Sequence, residues 1–254
     1  MKKLSLIYIS VLVIALISSC TEEYYLYNDE ARLQFGPDIS RIYRPSAKME
    51  DTTKNSTFYY YPESRQTDTV YFDLYAIGGV ADQDRAFKLI QEPVPGADNA
   101  EAGVHYKRFD DPSLSSYYTI KAGEVHCKVP VIMLRDISLK SKTVTLKLQV
   151  AQNENFKIGE ASNIWRKVYF TDRLIKPDLW DTRLGLGVYS NVKHKFIIDA
   201  TGQRWDNEFC NLVSANFAEL GYWKGVVKIA LLEYNANNPS NPLRDENGDL
   251  VVIP

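Results

Sequence analysis

Apolar and polar residues alternate along the first two thirds of the chain, and the period lengthens to a helical one in the last third. Over 68–79, Val70, Phe72 and Leu74 share one face while Tyr71, Asp73 and Tyr75 take the other. Over 143–150, Val144, Leu146, Leu148 and Val150 oppose Thr143, Thr145, Lys147 and Gln149. Val125, Cys127, Val129 and Val131 make a third row, with Pro130 on the opposite face, where a missing N–H suits an edge or a bulge. A period of two is that of half-buried antiparallel strands. Further strands are expected at 31–36, 57–61, 86–91, 116–121 and 165–171. Many short strands with no helix between them predict a two-sheet sandwich over 31–172. The segment 38–56 has no period and reads as a loop. So does 92–115, which is rich in turn formers (Pro93, Pro95, Gly96, Gly103, Pro112) and carries a binding surface or simply crosses between the sheets.

Beyond Pro177 the spacing changes. Val192, Phe196, Ile197 and Ala200 are spaced for a helix, with Ser190 as N-cap and Gly202 just past the end, although 195–198 also fits a strand. Phe209, Leu212, Val213, Phe217 and Leu220 form a second stripe that Gly221 would close. Trp223, Val226, Val227, Ala230, Leu231 and Tyr234 form a third. The tail 237–254 reads as loop with a short extended end around Val251. The expected fold class is therefore mainly β with α: an N-terminal sandwich, then a small, mainly helical C-terminal domain over 177–254.

The first residues carry an address. Lys2 and Lys3 precede an apolar run from Leu4 to Ile17, which is short for a membrane span of about 20 residues and suits an export signal over 1–19. Ile17-Ser18-Ser19-Cys20 resembles the bacterial lipobox, which implies cleavage before Cys20 and acylation of its thiol. Acyl chains contribute about 0.8 kcal/mol per buried methylene and would hold the protein on a bilayer without a spanning helix. Thr21-Glu22-Glu23, opening a tether over 20–30, resembles the surface-export signal of Bacteroidota lipoproteins. It implies an outer-membrane lipoprotein exposed at the cell surface.

A second resemblance lies in the strand-rich half. Ala100-Glu101-Ala102-Gly103-Val104-His105-Tyr106, Tyr118-Thr119-Ile120-Lys121-Ala122-Gly123-Glu124, Val129-Pro130-Val131-Ile132 and Arg135-Asp136 are similar to the Calx-beta pattern. That implies an immunoglobulin-like sandwich. Some members of that family bind calcium, but His105 stands where the family has Asp and Asp136 is followed by Ile137-Ser138-Leu139-Lys140. Calcium needs six to eight oxygen ligands, so only the fold is implied. The order lipobox, Calx-beta-like half, Trp180, Leu186-Gly187-Val188-Tyr189-Ser190, Lys193 and a closing Pro242-Leu243…Asn247-Gly248 resembles a family of Bacteroidota lipoproteins. Its members are often found beside SusC/SusD-type glycan importers, which implies transporter components or glycan as partners.

Composition narrows the chemistry. The 254 residues carry 30 Lys+Arg against 32 Asp+Glu, so no overall field recruits nucleic acid. Cys127 and Cys210 fall among apolar residues, where buried thiols serve as well as a disulfide. The three histidines (His105, His126, His194) lack metal-ligand spacing, and His126 and Cys127 point to opposite faces of a strand, so no metal or cofactor is expected. In Asp245-Glu246-Asn247-Gly248-Asp249, Gly comes fourth rather than sixth, which favours a type I′ turn over a calcium loop. No G-x-S-x-G, S-x-x-K or phosphate-cradling loop occurs, so no catalytic residue is nominated and an enzyme is not expected. Tyr24, Tyr25 and Tyr27, Tyr59-Tyr60-Tyr61, Tyr117-Tyr118 and Trp165, Trp180, Trp205 and Trp223 offer faces for stacking on sugars or for packing. None is singled out, and the ligand-binding residues stay unknown. The expected function is a non-catalytic binding or accessory component of a nutrient uptake system, with glycan as candidate cargo. The alternative is a structural or adhesive envelope protein.

Overall fold

The computed structural model describes residues 30–39 and 52–254. The export signal, Cys20, the tether through residue 29 and most of the predicted 38–56 loop lie outside the described residues. Among the described residues, ten strands and three α-helices follow in order. The strands are β1 Arg32–Gly36, β2 Thr53–Thr57, β3 Thr67–Ile77, β4 Arg85–Ala86, β5 Lys88–Gln91, β6 Thr119–Ile120, β7 His126–Leu134, β8 Val144–Ala151, β9 Lys157–Ile158 and β10 Trp165–Thr171. The helices are α1 Asn191–Thr201, α2 Asn207–Ser214 and α3 Phe217–Asn237. The chain is thus mainly β with a helical C-terminal part.

The strands form two four-stranded sheets, in the orders β7-β3-β1-β9 and β2-β10-β8-β5, with a small β4-β6 ladder. Both sheets are mixed: β1 runs parallel to β9 and β2 parallel to β10, while the other pairs are antiparallel. The alternating rows bury the residues the pattern selected. Leu33, Phe35, Phe72, Leu74, Val129 and Val131 of one sheet share one apolar cluster with Leu146, Leu148, Val150, Val168 and Phe170 of the other. Pro130 sits opposite Tyr71 on β7, which is an edge strand and needs no second donor there.

Four expectations shift in this half: β2 lies in the segment read as loop, 86–91 divides at Phe87 into β4 and β5 of different sheets, and two further strands shorten. The strand expected at 57–61 ends at Thr57, whose hydroxyl donates to Arg173 O at 2.6 Å and accepts from Tyr59 N–H at 3.1 Å. Tyr61 N–H then bonds Phe58 O at 2.9 Å, so the three tyrosines lie on a turn rather than in a sheet. The 116–121 strand shrinks to β6 because the amides of Tyr117 and Tyr118 both turn back to Leu114 O. Arg135 fixes the tyrosine turn from below. Its guanidinium donates twice to the Asp172 carboxylate, at 2.9 and 2.8 Å, and once to Pro62 O at 2.8 Å.

In the helical part, Ser190 Oγ caps α1 by accepting from Lys193 N–H, and Gly202 ends it at φ +67°. The second and third stripes divide differently from the sequence expectation. Leu220 belongs to α3, and Gly221 lies inside that helix rather than closing the one before it. The break falls at Asn216, whose side-chain oxygen accepts from Ala218 and Glu219 N–H and so restarts the helix. A second apolar cluster holds Trp180, Leu184, Ile197, Trp205, Val213, Val227, Val251 and Ile253.

Here the family-like residues show their use. Trp180 Nε1–H donates to Gly187 O at 2.9 Å, and the Lys193 ammonium donates to Leu186 O at 3.1 Å and Val188 O at 2.6 Å. Three successive carbonyls of the 186–188 turn, where Leu186 is buried and Gly187 and Val188 are exposed, are thereby satisfied from α1 and the segment before it. Near the end of the chain, the 245–249 turn is not type I′, since Asn247 keeps a negative φ while Gly248 sits at +88°. The Asp245 carboxylate takes the amides of Asn247 and Asp249, which holds Asn247 out of the left-handed region.

Candidate functional site

A cleft of about 360 Å³ opens where the tyrosine turn meets the start of α2. Asn55, Ser56, Tyr60, Tyr61 and Asp68 come from the strand-rich half, and Ile175, Arg204, Asp206, Asn207 and Glu208 from the chain that follows it. The junction between two apolar clusters is a common place for ligand recognition. Tyr61 is half-buried, with the Arg65 guanidinium 3.7 Å and the Arg204 guanidinium 4.9 Å from its ring centroid. Arg204 also lies 5.5 Å from the Tyr60 centroid.

The polar groups of the cleft divide into committed and open ones. Asp68 accepts from Ser56 Oγ at 2.9 Å and from Arg65. Asp206 is the N-cap of α2, accepting from Phe209 N–H at 2.9 Å. Asn207 is tied to Asp178 in both directions. By contrast, the side chains of Asn55, Arg204 and Glu208 are exposed and have no hydrogen-bond or ion-pair partner among the described residues. The Tyr60 hydroxyl is buried without a partner, and burial, with Asp206 next, pushes its pKa well above the ordinary phenol value. An aromatic face beside an amide, a guanidinium and a carboxylate can stack on a flat apolar ligand surface and hydrogen-bond hydroxyls around its edge. One cationic side chain, Arg204, and three anionic ones, Asp68, Asp206 and Glu208, line the site, and Arg65 behind it neutralises Asp68, so the cleft does not favour an anionic ligand and suits a neutral polar one.

A larger groove, about 580 Å³, runs along β5 beneath the 102–118 segment. Its floor is core. Tyr106 donates to Gln91 Oε1 at 2.9 Å, Tyr118 donates to Pro130 O at 2.9 Å, and Phe87 and Leu89 are buried. The rings there are used in packing, and the tyrosine hydroxyls are satisfied.

The histidines, the two described cysteines and three of the tryptophans are used in the fold itself. His105 takes Glu101 N–H on Nδ1 at 3.0 Å and meets Ser138 Oγ at 2.9 Å. His126 meets Asp73 Oδ1 at 2.7 Å, away from the Cys127 side chain, which packs against the sheet cluster. His194 bonds Trp205 O at 3.0 Å inside the helical part. Cys127 and Cys210 are free thiols in different apolar clusters, each pushed up to about 12, chiefly by burial. Trp180 and Trp205 are core residues, and Trp165 lies under Lys147 and Lys167. Among the described residues no group of three or more His, Cys, Asp or Glu could hold a metal ion, and no helix is long and apolar enough to cross a membrane. Of the aromatic clusters among the described residues, only Tyr59-Tyr60-Tyr61 reaches the cleft, through Tyr60 and Tyr61. Arg204, Asn55 and Glu208 carried no signal in the sequence.

A family model described as a domain of unknown function (DUF4843) matches residues 37–203, from the end of β1 through α1. No curated protein sequence matches the chain. Three solved structures share local similarity with it. One is a candidate carbohydrate-binding protein from Bacteroides ovatus ATCC 8483 (12% identity, TM-score 0.32, 56% of this chain and 37% of that one). Another is a two-domain protein of unknown function from Bacteroides fragilis NCTC 9343 (9%, 0.35, 56% and 46%). The third is EndoBT-3987 from Bacteroides thetaiotaomicron with a Man5GlcNAc product (10%, 0.32, 48% and 28%). The chain therefore spans less than half the length of each.

Proposed function

The chain belongs to the DUF4843 family, and from that premise we propose that it is a non-catalytic, glycan-binding accessory protein of the cell envelope. The observation that carries the proposal is the cleft: a half-buried tyrosine ring beside the uncommitted side chains of Asn55, Arg204 and Glu208. Neutral sugars offer apolar ring faces and peripheral hydroxyls, which that combination complements. Glycoside hydrolysis uses a pair of carboxyl groups, and of the three in the cleft only Glu208 is uncommitted, which argues for binding. Asp68 is held by Ser56 and Arg65, and Asp206 caps a helix, so neither is poised to trade protons with a glycosidic oxygen.

The address comes from Ile17-Ser18-Ser19-Cys20 and the acidic residues after it. An acylated Cys20 would anchor the chain in the outer membrane with its folded part at the surface, within reach of SusC/SusD-type transport components. An immunoglobulin-like, Calx-beta-like arrangement of the two sheets is the finer reading of the fold. The alternative function, protein–protein contact in the envelope, draws support from the outer face of α3.

Affinity electrophoresis through gels containing a panel of neutral polysaccharides tests the sugar assignment. At least one polysaccharide is expected to retard the protein. Tyr61→Ala and Arg204→Ala should each weaken that retardation about tenfold, the equivalent of about 1.4 kcal/mol. Unretarded migration across the whole panel would remove the assignment. Metabolic labelling with palmitate tests the anchor, and a Cys20→Ser chain is expected to lose the label.

A further inference from the structure

Helix α3 is apolar on two opposite faces. Leu220, Val227 and Leu231 turn inward and are buried against the helical core. On the opposite side, Tyr222, Ile229 and Leu232 are 63%, 58% and 65% exposed. A surface helix with one core to serve shows a single apolar stripe, so the second stripe requires its own account.

The outer stripe has a register. Ala218, Tyr222, Gly225, Ile229, Leu232 and Ala236 follow one another at alternating spacings of four and three, which averages 3.5 residues. This is a heptad seam in which Tyr222, Ile229 and Ala236 occupy the a positions and Ala218, Gly225 and Leu232 the d positions. A β-branched residue at a followed by Leu at d favours two strands. Gly225 adds room, since a side chain built on it meets nothing within 4 Å. The flanks are charged and asymmetric. Lys228 stands at g on one side, and Glu219 and Glu233 at e on the other. Neither Lys228 nor Glu233 makes an ion pair or a side-chain hydrogen bond among the described residues.

We infer that α3 is a dimerisation helix that packs in parallel against α3 of a second copy of this chain. In parallel two-stranded packing, each g residue faces the e residue five places further along the partner. Lys228 then meets the partner's Glu233, and twofold symmetry makes the same pair again on the other side. Antiparallel packing would set like flank against like flank and bring Glu219 towards Glu233. A lipid surface would favour basic residues on both flanks of the stripe, whereas one flank here is acidic.

The test uses the full chain in mild detergent, with sedimentation equilibrium at concentrations up to about 100 μM. A monomer–dimer equilibrium is expected. Lys228→Glu alone or Glu233→Lys alone should raise the dissociation constant about tenfold, and the double exchange should bring it back to within about twofold. Leu232 faces its own copy only in the parallel arrangement, so Leu232→Cys should form an intermolecular disulfide on mild oxidation that the parent chain does not. A chain that stays monomeric throughout overturns the inference. So does a dimer that ignores the charge exchanges, or a Leu232→Cys chain that fails to cross-link.

Discussion

Replacing Trp180 with alanine is expected to destabilise the helical part by about 3–5 kcal/mol, the range for deleting a buried tryptophan. The side chain is almost fully buried, and its ring makes edge contacts with Tyr189 and His194 at centroid distances of 4.9 and 5.4 Å. Removing it opens a void at the centre of the second apolar cluster and leaves Gly187 O without its donor. Trp180→Phe separates the two effects. It keeps the larger part of the apolar volume and loses the N–H with the smaller ring, for which a lesser cost of about 1–3 kcal/mol is expected. Urea unfolding followed by near-ultraviolet circular dichroism measures both. If the alanine variant unfolds within 1 kcal/mol of the parent, the three-carbonyl turn is not a keystone of this half.

Acid is expected to weaken the same region. His194 is completely buried, and burial pushes its pKa from the ordinary 6.5 down to about 4; the Trp205 carbonyl and Asp206 oppose that shift only in part. Since a carbonyl can only accept, Nε2 carries the proton in the bond to Trp205 O. The unfolded chain takes up a second proton on this ring as pH falls through 6.5, and the folded chain resists until about 4. Stability is therefore whole above 6.5, declines across that window and levels off below it, by about 3 kcal/mol in all. His105, which burial also depresses, adds a loss of the same sign in the strand-rich half. Urea unfolding free energies at pH 7.5 and 4.5 should differ clearly for the parent and by less for His194→Gln. An equal pH dependence in the two proteins would contradict this assignment.

Local signals made much of the fold legible before any coordinates. The strand over 165–171 is found where the pattern put it, and that over 143–150 one residue along. Ser190 and Gly202 bracket α1 because a cap is a property of a few adjacent residues. The misplaced boundary between α2 and α3 has a physical lesson. Gly221 resembles a stop, but an Asn with Glu three places on, as at 216 and 219, is the stronger start signal and prevails. The tyrosine turn was misread as strand because Thr57-Phe58-Tyr59 has strand composition, while hydrogen bonds to distant residues bend it. The cleft was out of reach altogether. Tyr61 and Arg204 are separated by more than half the chain, and nothing local announces that they meet. The turn over 186–188 was visible only as an unexplained string of residues, and its reason is the carbonyls that Trp180 and Lys193 serve.

The two shielded thiols have a practical corollary. Electrophilic labels act on thiolates, and neither Cys127 nor Cys210 supplies one at neutral pH. A fluorophore or spin probe can therefore be placed on one engineered surface cysteine with Cys127 and Cys210 left in position, provided Cys20 is acylated or replaced. Distance measurements across the cleft, or between paired copies, then leave the two cysteines of the folded part untouched, and its packing with them.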